Sequence, residues 1–301
     1  MVATDVIVLM VCKGWRIMDK IEIIKIAKRF VEESEHNKIP ESIALSEAVV
    51  GMRIFENPIF GFGSAFDPYF KKLTEPSVIG KHFLAPQEWL PTAKTVISIF
   101  LPFTDVVKKG NSREGVWPSE EWLHGRIEGQ AFIVKLCQYL CAVLTNAGYK
   151  CLSPSLDKRF WAKAGYNNDQ KSDNHSGDGV YTSNWSERHI AFVCGLGTFG
   201  LSKGFITEKG IAGRLGSIVS ELELSPDTRV SDNIYHNCSM CGACVKNCPV
   251  KAISLETGKN HILCSEYVNK TKEMFKPRYG CGKCQVKVPC ESSIPKKIMF
   301  K

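Results

Sequence analysis

The chain has 301 residues, 44% of them hydrophobic, which is enough for one large domain with a buried core and a smaller second domain. Its net charge of +8 comes from scattered Lys and Arg, so it permits an acidic partner or nucleic acid without indicating either. The apolar start, residues 6–11, is far shorter than the roughly 20 residues that cross a bilayer. Thirteen cysteines with no export signal indicate a reducing cytoplasm and no membrane association.

Two stretches open the larger part of the chain. Residues 19–33 repeat apolar side chains at helical spacing and predict an amphipathic first helix. Residues 55–70 are dense in aromatics, glycine and proline, which predicts an ordered loop rather than a regular element. The packing face that we expect for the helix comprises Ile21, Ile24, Ile26, Ala27 and Phe30.

A strand and a long helix follow. Residues 95–101 form a short β-branched apolar run, typical of a strand that is covered on both faces. Ser119 is a good N-cap for a helix that reaches Ala147 and is closed by Gly148. The apolar stripe that we expect on this helix comprises Ile127, Ala131, Val134, Cys137, Leu140 and Leu144.

The segment 183–200 has two competing interpretations. Residues 190–200 imitate a strand that runs into G-x-G-x-x-G, the fingerprint of a nicotinamide site. That fingerprint must open a helix, which the glycines at 204, 210 and 213 would break. In the alternative, Asn184 caps a helix that runs through Val193 and ends at Gly195. The glycines would then let the backbone approach a large flat group.

The chemistry-bearing run lies near the C-terminus. Residues 238–249 carry four cysteines at x2, x2, x3 spacing followed by Pro249, which is the run of bacterial ferredoxins. The first three can hold one 4Fe-4S cluster, whereas the fourth is suited to a second cluster. This crossing predicts one cluster on quartet A and another on quartet B. Quartet A is Cys238, Cys241, Cys244 and Cys290, and quartet B is Cys248, Cys264, Cys281 and Cys284.

Cysteines can also bind zinc or form disulfides. A structural zinc site needs two C-x2-C pairs and has no use for the third x2-spaced thiol or for the Cys-Pro ending. A disulfide framework suits small secreted domains rather than a chain of this length. Both alternatives therefore explain the spacing less well than clusters do.

The sequence resembles epoxyqueuosine reductase and its relatives, the reductive dehalogenases. The residues that carry the resemblance are E-R-x-x-A-x-x-x-G-L-G-x-x-G at 187–200, followed after about forty residues by the ferredoxin run. The resemblance implies an α+β fold: a nitroreductase-like α/β sandwich, then a ferredoxin-like domain with two 4Fe-4S clusters. We therefore divide the chain into an extended start (1–17), a cofactor and substrate domain (18–228) and a cluster domain (229–301).

The same resemblance implies base-off cobalamin beside the glycine segment. On this chain the implied contacts are Asn184, Gly195, Leu196, Gly197, Gly200 and Ser202. Epoxyqueuosine reductases carry a proton-donating Asp seven residues before the arginine that corresponds to Arg188, and here that position is Tyr181. A phenol is the donor that dehalogenases use. Proton-transfer candidates are thus Tyr181, His175, Glu187 and His189, with Arg188 as an orienting cation or the partner of Glu187 in an ion pair.

These residues predict an oxidoreductase that takes electrons from a ferredoxin or flavodoxin and reduces a small molecule or a modified nucleoside, with tRNA as a further partner. Its chief rival is a cobalamin-free electron-transfer or activator protein that reduces the metal centre of another protein. That rival would keep the clusters and lose the cofactor pocket.

Overall fold

The computed structural model describes residues 18–113, 115–164 and 181–296. The extended start, 1–17, therefore lies outside the described residues. The α-helices are α1 (Lys20–Glu33), α2 (Tyr69–Leu73), α3 (Pro86–Trp89), α4 (Asp105–Arg113), α5 (Glu120–Asn146), α6 (Glu187–Val193), α7 (Ala243–Lys246) and α8 (His261–Met274). The strands are β1 (Ile59–Ser64), β2 (Thr95–Pro102), β3 (Cys151–Leu152), β4 (Ala162–Ala164), β5 (Tyr181–Ser183), β6 (Gly197–Phe199), β7 (Phe205–Thr207), β8 (Gly213–Ser220), β9 (Ile253–Ser254) and β10 (Gly258–Lys259).

The core is an antiparallel sheet in the order β1-β2-β8-β3. Every residue of β2 is buried, which confirms the predicted strand covered on both faces. β8 pairs with β2 along its whole length, from Thr95↔Ser220 to Pro102↔Gly213. The residue that opens β8, Gly213, is therefore held at one end of the sheet.

The predicted loop at 55–70 was wrong in its middle, because β1 lies there and pairs with β2. The glycines of this segment lie in a strand and allow α6 to pack closely against it. A Cβ at Gly61 would lie 2.6 Å from the carbonyl oxygen of Cys194, and one at Gly63 would lie 3.0 Å from its Sγ. The end of α6 thus rests on β1 in a way that larger residues would prevent.

The long helix α5 is confirmed. The Ser119 hydroxyl accepts the Trp122 amide at 3.3 Å, and Gly148 closes the helix with φ +93°. Its buried face is partly shifted from the prediction: Cys137, Leu140 and Leu144 are buried, whereas Ala131 is exposed. Phe132, Ile133 and Leu136 complete the buried face, because they point to the sheet and to α1.

Within the described ranges, α5 is the one helix whose length and composition would allow it to cross a membrane. Eleven of its residues are buried, and the helix packs against the sheet, α1 and α4. The core helix of a globular fold has the same properties, and α5 occupies that place here.

The first helix forms as predicted, with the Asp19 carboxylate accepting the Glu22 amide at 2.8 Å. Its buried stripe is Ile23, Ala27 and Val31, whereas Ile21 is 76% exposed. The expected face was therefore wrong at Ile21, because the helix turns that position to solvent.

Segment 184–200 folds as the helical alternative predicts, and the nicotinamide fingerprint was wrong. Residues 187–193 are helical where the fingerprint needs a strand, and short strands β6 and β7 follow the glycines. The helix begins after Ser186 rather than after Asn184. Gly195 has φ +75°, and its amide bonds to the Phe192 carbonyl in a glycine-terminated C-cap.

The cysteine-rich region packs directly onto the sheet and α5. Arg278 forms an ion pair with Glu128 of α5 at 2.8 Å, and the Lys108 ammonium donates to the Ser292 hydroxyl at 2.9 Å. Gly282 lies against the Trp122 ring, which leaves no room for a Cβ. These contacts bring the cysteines next to the first turns of α5 and the start of β8.

Candidate iron–sulfur and substrate site

Quartet A lines a small cavity of about 20 Å³. Two residues in the loop that carries its first three thiols, Met240 and Gly242, have left-handed φ of 51° and 72°. Successive turns of this kind aim backbone N–H groups inward, which suits a cluster with anionic sulfurs. The apolar side chains of Ile206, Ile211 and Val288 pack against these cysteines and shield them from water.

Quartet B lines a larger cavity of about 250 Å³. Cys248 follows α7, Cys264 lies in α8, and Cys281 and Cys284 flank the left-handed Gly282. The structure thus brings the eight cysteines together in the two sets that the spacing predicts. No three His, Cys, Asp or Glu side chains of the described residues converge closely enough for a single metal ion.

Hydrogen-bond donors surround quartet B. The Ala252 amide donates to Cys248 Sγ at 3.2 Å. Burial raises the pKa of Cys284, and a hydrogen bond with the Ser202 hydroxyl partly opposes that rise. The Lys259 ammonium reaches the sulfur of Cys264. Donors of this kind stabilise ligating thiolates and tune the potential of a cluster.

Burial keeps several of these thiols neutral without metal. It raises the pKa of Cys244, Cys281 and Cys290 to about 12 each. Because iron binds thiolates, loading must release these protons, as in other coupled metal sites. The residues present fit 4Fe-4S clusters: each cavity has four thiols, apolar side chains pack on quartet A, and an amide donates to a sulfur of quartet B.

The predicted catalytic residues separate into two groups. Tyr181 and Arg188 both line the large cavity beside quartet B. Glu187 and His189 do not line it, and His175 lies outside the described residues. Tyr181 is 43% exposed, and its ring lies 5.4 Å from that of His261.

Glu187 and Arg188 form no ion pair in the described structure. The carboxylate of Glu187 is buried without a hydrogen-bond partner among the described residues, and burial raises its pKa to about 7. Arg188 is instead exposed and lines the large cavity together with Cys264 and Cys284. The structural ion pair was thus the wrong alternative.

His189 is held in a packed setting. Its Nδ1 lies 2.8 Å from the Ser186 hydroxyl, and its ring packs 5.0 Å from that of Phe199. Burial lowers its pKa to about 4. The imidazole is therefore neutral near pH 7 and is a poor acid there.

Most residues predicted for cobalamin contact the protein itself. The Asn184 amide donates to the Arg159 carbonyl at 2.8 Å and its Oδ1 accepts the Trp161 amide at 3.0 Å. Gly195 ends α6, Leu196 is buried in a cluster with Phe192 and Phe205, and Gly200 packs on Ile206. Gly197 leaves no room for a Cβ beside the Ile206 carbonyl. Ser202 differs, because it lines both cavities.

Sequence reasoning missed several residues of the large cavity. Arg126 comes from α5, Arg214 from β8, Lys259 from β10 and His261 from the start of α8. They are far apart in the chain and belong to no motif, so the fold alone reveals their proximity.

Fold and site together define an iron–sulfur protein with a bacterial ferredoxin segment in a mixed helix and sheet fold. The family model described as a 4Fe-4S binding domain matches residues 234–254. This finding establishes a 4Fe-4S binding segment in the chain.

The predicted resemblance is confirmed. The chain is homologous to the epoxyqueuosine reductase of Listeria monocytogenes serovar 1/2a (strain ATCC BAA-679 / EGD-e), with 32% identity over 120 residues, 36% of this chain and 31% of that protein. A crystal structure of epoxyqueuosine reductase with an epoxyqueuosine-modified tRNA-Tyr stem loop has a TM-score of 0.51 at 17% identity, over 90% of this chain and 65% of that one. A reductive dehalogenase structure that suggests a mechanism for B12-dependent dehalogenation has a TM-score of 0.47 at 14% identity, over 79% of this chain and 30% of that one. The chain thus spans less than two thirds of these relatives and shares the epoxyqueuosine reductase fold.

Proposed function

We propose that this chain is an iron–sulfur reductase of the epoxyqueuosine reductase type, with two bound 4Fe-4S clusters that supply single electrons to a ligand in the large cavity. The observation that carries the proposal is the lining of that cavity, which contains quartet B, Tyr181 and Arg188. An electron source, a proton source and a fixed cation then meet in one space. The finer fold assignment, a nitroreductase-like sandwich with a two-cluster ferredoxin domain, belongs to the same proposal.

Each part of the site has a separate role in this proposal. Quartet A holds the cluster that accepts electrons from a ferredoxin or flavodoxin, and quartet B holds the cluster next to the ligand. The Tyr181 hydroxyl donates a proton to the leaving oxygen, and His261 beside it orients the phenol. Arg188 binds an anionic or carbonyl group of the ligand.

The substrate that we propose is the epoxide of a modified nucleoside in tRNA, as the names of the relatives suggest. Removal of an epoxide oxygen as water consumes two electrons and two protons. Clusters held by the two quartets would supply the electrons one at a time, Tyr181 would supply the first proton, and water would supply the second. The compartment that we propose is the cytoplasm.

Cobalamin is the cofactor that the resemblance implies. Of the six residues predicted to hold it, Ser202 lines the large cavity, and the other five are taken up by packing within the chain. The glycine segment therefore offers no cradle for a corrin, and the proposed proton and ligand contacts do not depend on one.

The test begins with protein produced anaerobically with iron and cobalamin supplied. We expect a brown protein in which Cys238→Ala and Cys264→Ala each remove roughly four irons. The matched control is Cys137→Ala, a buried cysteine outside both quartets. Colourless, iron-free wild-type protein would sink the proposal.

The activity test uses an epoxyqueuosine-containing stem loop with a chemical reductant, and product is measured by nucleoside mass spectrometry. Binding of the stem loop should weaken steeply with salt. If cluster-loaded protein neither binds nor reduces the stem loop, epoxyqueuosine is excluded as the substrate, whereas the proposal of bound clusters stands.

A second candidate is a cobalamin-free electron-transfer or activator protein. The packing of the predicted corrin-binding residues favours it. The corrinoid content of the same preparation separates the two: stoichiometric corrinoid excludes the activator, whereas clusters without corrinoid and without epoxide reduction support it.

A further inference from the structure

The large cavity carries an unusual charge. Among its described lining residues there is no Asp or Glu, and six side chains are cationic. The four thiols of quartet B, when ionised, oppose at most four of these six charges. A surplus of positive charge therefore faces the cavity. The six cationic residues are Arg126, Arg188, Lys203, Arg214, Lys259 and Lys283.

The three lysines already have partners. Lys203 donates to the Tyr235 hydroxyl, Lys259 reaches the Cys264 sulfur, and Lys283 donates to the Asn111 carbonyl at 2.8 Å. The arginines differ, because their charges are not matched by any carboxylate in the cavity lining.

Arg214 shows this most clearly. One of its terminal nitrogens donates to the Arg126 carbonyl, whereas its buried Nε has no partner among the described residues. A buried guanidinium N–H without an acceptor is costly, which indicates that a ligand supplies one.

The three arginines also share one space. All three line the same cavity, and Arg214 donates a hydrogen bond to the backbone carbonyl of Arg126. Arg188 has no hydrogen bond or ion pair with the described residues. Three like charges in one cavity repel one another, and an anion between them would remove that cost.

We propose that Arg126, Arg188 and Arg214 bind a phosphate group of the ligand next to quartet B. Guanidiniums bind phosphate oxygens in bidentate pairs, and three of them supply enough N–H donors for several oxygens at once. The inference rests on the proposed function, because it identifies the substrate of that site as a phosphate-bearing nucleotide or RNA. The bound phosphate holds the substrate so that the reactive carbon of the substrate lies near Tyr181.

The simpler use of these arginines is to balance the charge of a cluster. In that case their replacement would change iron content or cluster potential, and no anion would compete for the site. Binding of a phosphate ligand to cluster-loaded protein distinguishes the two.

The experiment titrates anaerobic, cluster-loaded protein with adenosine 5′-monophosphate, with adenosine and with inorganic phosphate. Binding is followed by calorimetry and by fluorescence, since Trp122 lines the cavity. We expect the monophosphate to bind at least ten times more tightly than the nucleoside, and phosphate to displace it at constant ionic strength. Equal affinities, or displacement by chloride as effective as by phosphate, would overturn the proposal.

Variants locate the site. Arg214→Gln and Arg188→Gln should each weaken the monophosphate about tenfold or more, because a charge-assisted hydrogen bond contributes roughly 1.5–3 kcal/mol. Arg29→Gln, an exposed arginine paired with Glu33 on α1, should leave binding unchanged. Unchanged binding in both cavity variants overturns the proposal. If the two cavity variants lose iron, the titration of the wild-type protein alone tests the proposal.

A longer ligand separates free nucleotide from RNA. An unmodified stem loop that displaces the monophosphate supports an RNA phosphate, whereas failure to displace it supports a free nucleotide. Phosphate binding without epoxide reduction would sink the epoxyqueuosine assignment alone. Epoxide reduction without phosphate binding would sink the phosphate site alone.

Discussion

Glu187 and Arg188 are adjacent in α6, yet their charged groups lie in different surroundings. The carboxyl group of Glu187 is buried near Cys137 and Ser217, and the guanidinium of Arg188 faces the large cavity. One short helix thus carries both an acid whose pKa burial raises to about 7 and a cation that lines the site.

Glu187→Gln should remove a pH dependence of stability. Burial raises the pKa of Glu187 to about 7, above its unfolded value near 4.5. The neutral acid therefore stabilises the fold fully below pH 4.5, and this contribution is lost as pH rises through 7. Relative to the Gln variant, the free energy of unfolding of the wild type should fall by up to about 3 kcal/mol between these values.

Urea unfolding midpoints of wild type and variant at pH 5 and pH 8 check this. Glu256→Gln, an exposed carboxylate, is the control and should run parallel to the wild type. A difference between Glu187→Gln and wild type that stays the same at both pH values would contradict the buried neutral acid.

Gly282→Ala and Gly258→Ala form a matched pair for the packing of the cysteine loop on α5. Both glycines have left-handed φ, 68° and 73°, but Gly282 abuts the Trp122 ring and Gly258 has open space. Gly258→Ala should cost roughly 1–2 kcal/mol from strain, and Gly282→Ala a further 1–3 kcal/mol from overpacking. Gly282→Ala should also lose roughly four irons. Iron content and urea midpoints test this, and identical results for the two variants would contradict it.

Tyr181→Phe should abolish epoxide reduction and leave the iron content and visible spectrum unchanged. The phenol lines the cavity and is partly exposed, so its ring contributes little to packing. The variant removes the hydroxyl alone, which is the proposed proton donor. Tyr149→Phe is the control outside the cavity. Product formation by mass spectrometry is the measurement, and full activity of Tyr181→Phe would end its role.

Cys141 and Cys151 should form a disulfide when the protein meets a thiol oxidant such as diamide. Their sulfurs lie 2.9 Å apart and join α5 to β3, outside both quartets. The hydrogen bond from Cys141 raises the pKa of Cys151, as does its burial, so the reaction should be slow at neutral pH. Peptide mapping should find a linked pair that has lost two hydrogens, and Cys141→Ser should lack it. Free thiols at both positions after prolonged oxidation would contradict the pairing.

Local patterns predicted much of this structure. The Ser119 cap and the Gly148 stop define α5, and cysteine spacing places Cys248 and Cys264 in one cavity. Their role as cluster ligands stays a prediction. β1 was missed because Gly61 and Gly63 resemble loop residues, although they are needed for close contact with α6.

The guanidiniums of the large cavity could not be predicted, because no local pattern connects them. Arg126 lies in the middle of a helix and Arg214 at the start of a strand, and only the tertiary fold joins them to Arg188. Charge convergence of this kind depends on packing between distant elements rather than on spacing.

A single short turn, α7, carries Cys244 of quartet A and is followed directly by Cys248 of quartet B. Because so little backbone separates the two thiols, insertion of iron at one should position the other. We therefore expect maturation of the two centres to be cooperative, with few half-filled molecules during assembly.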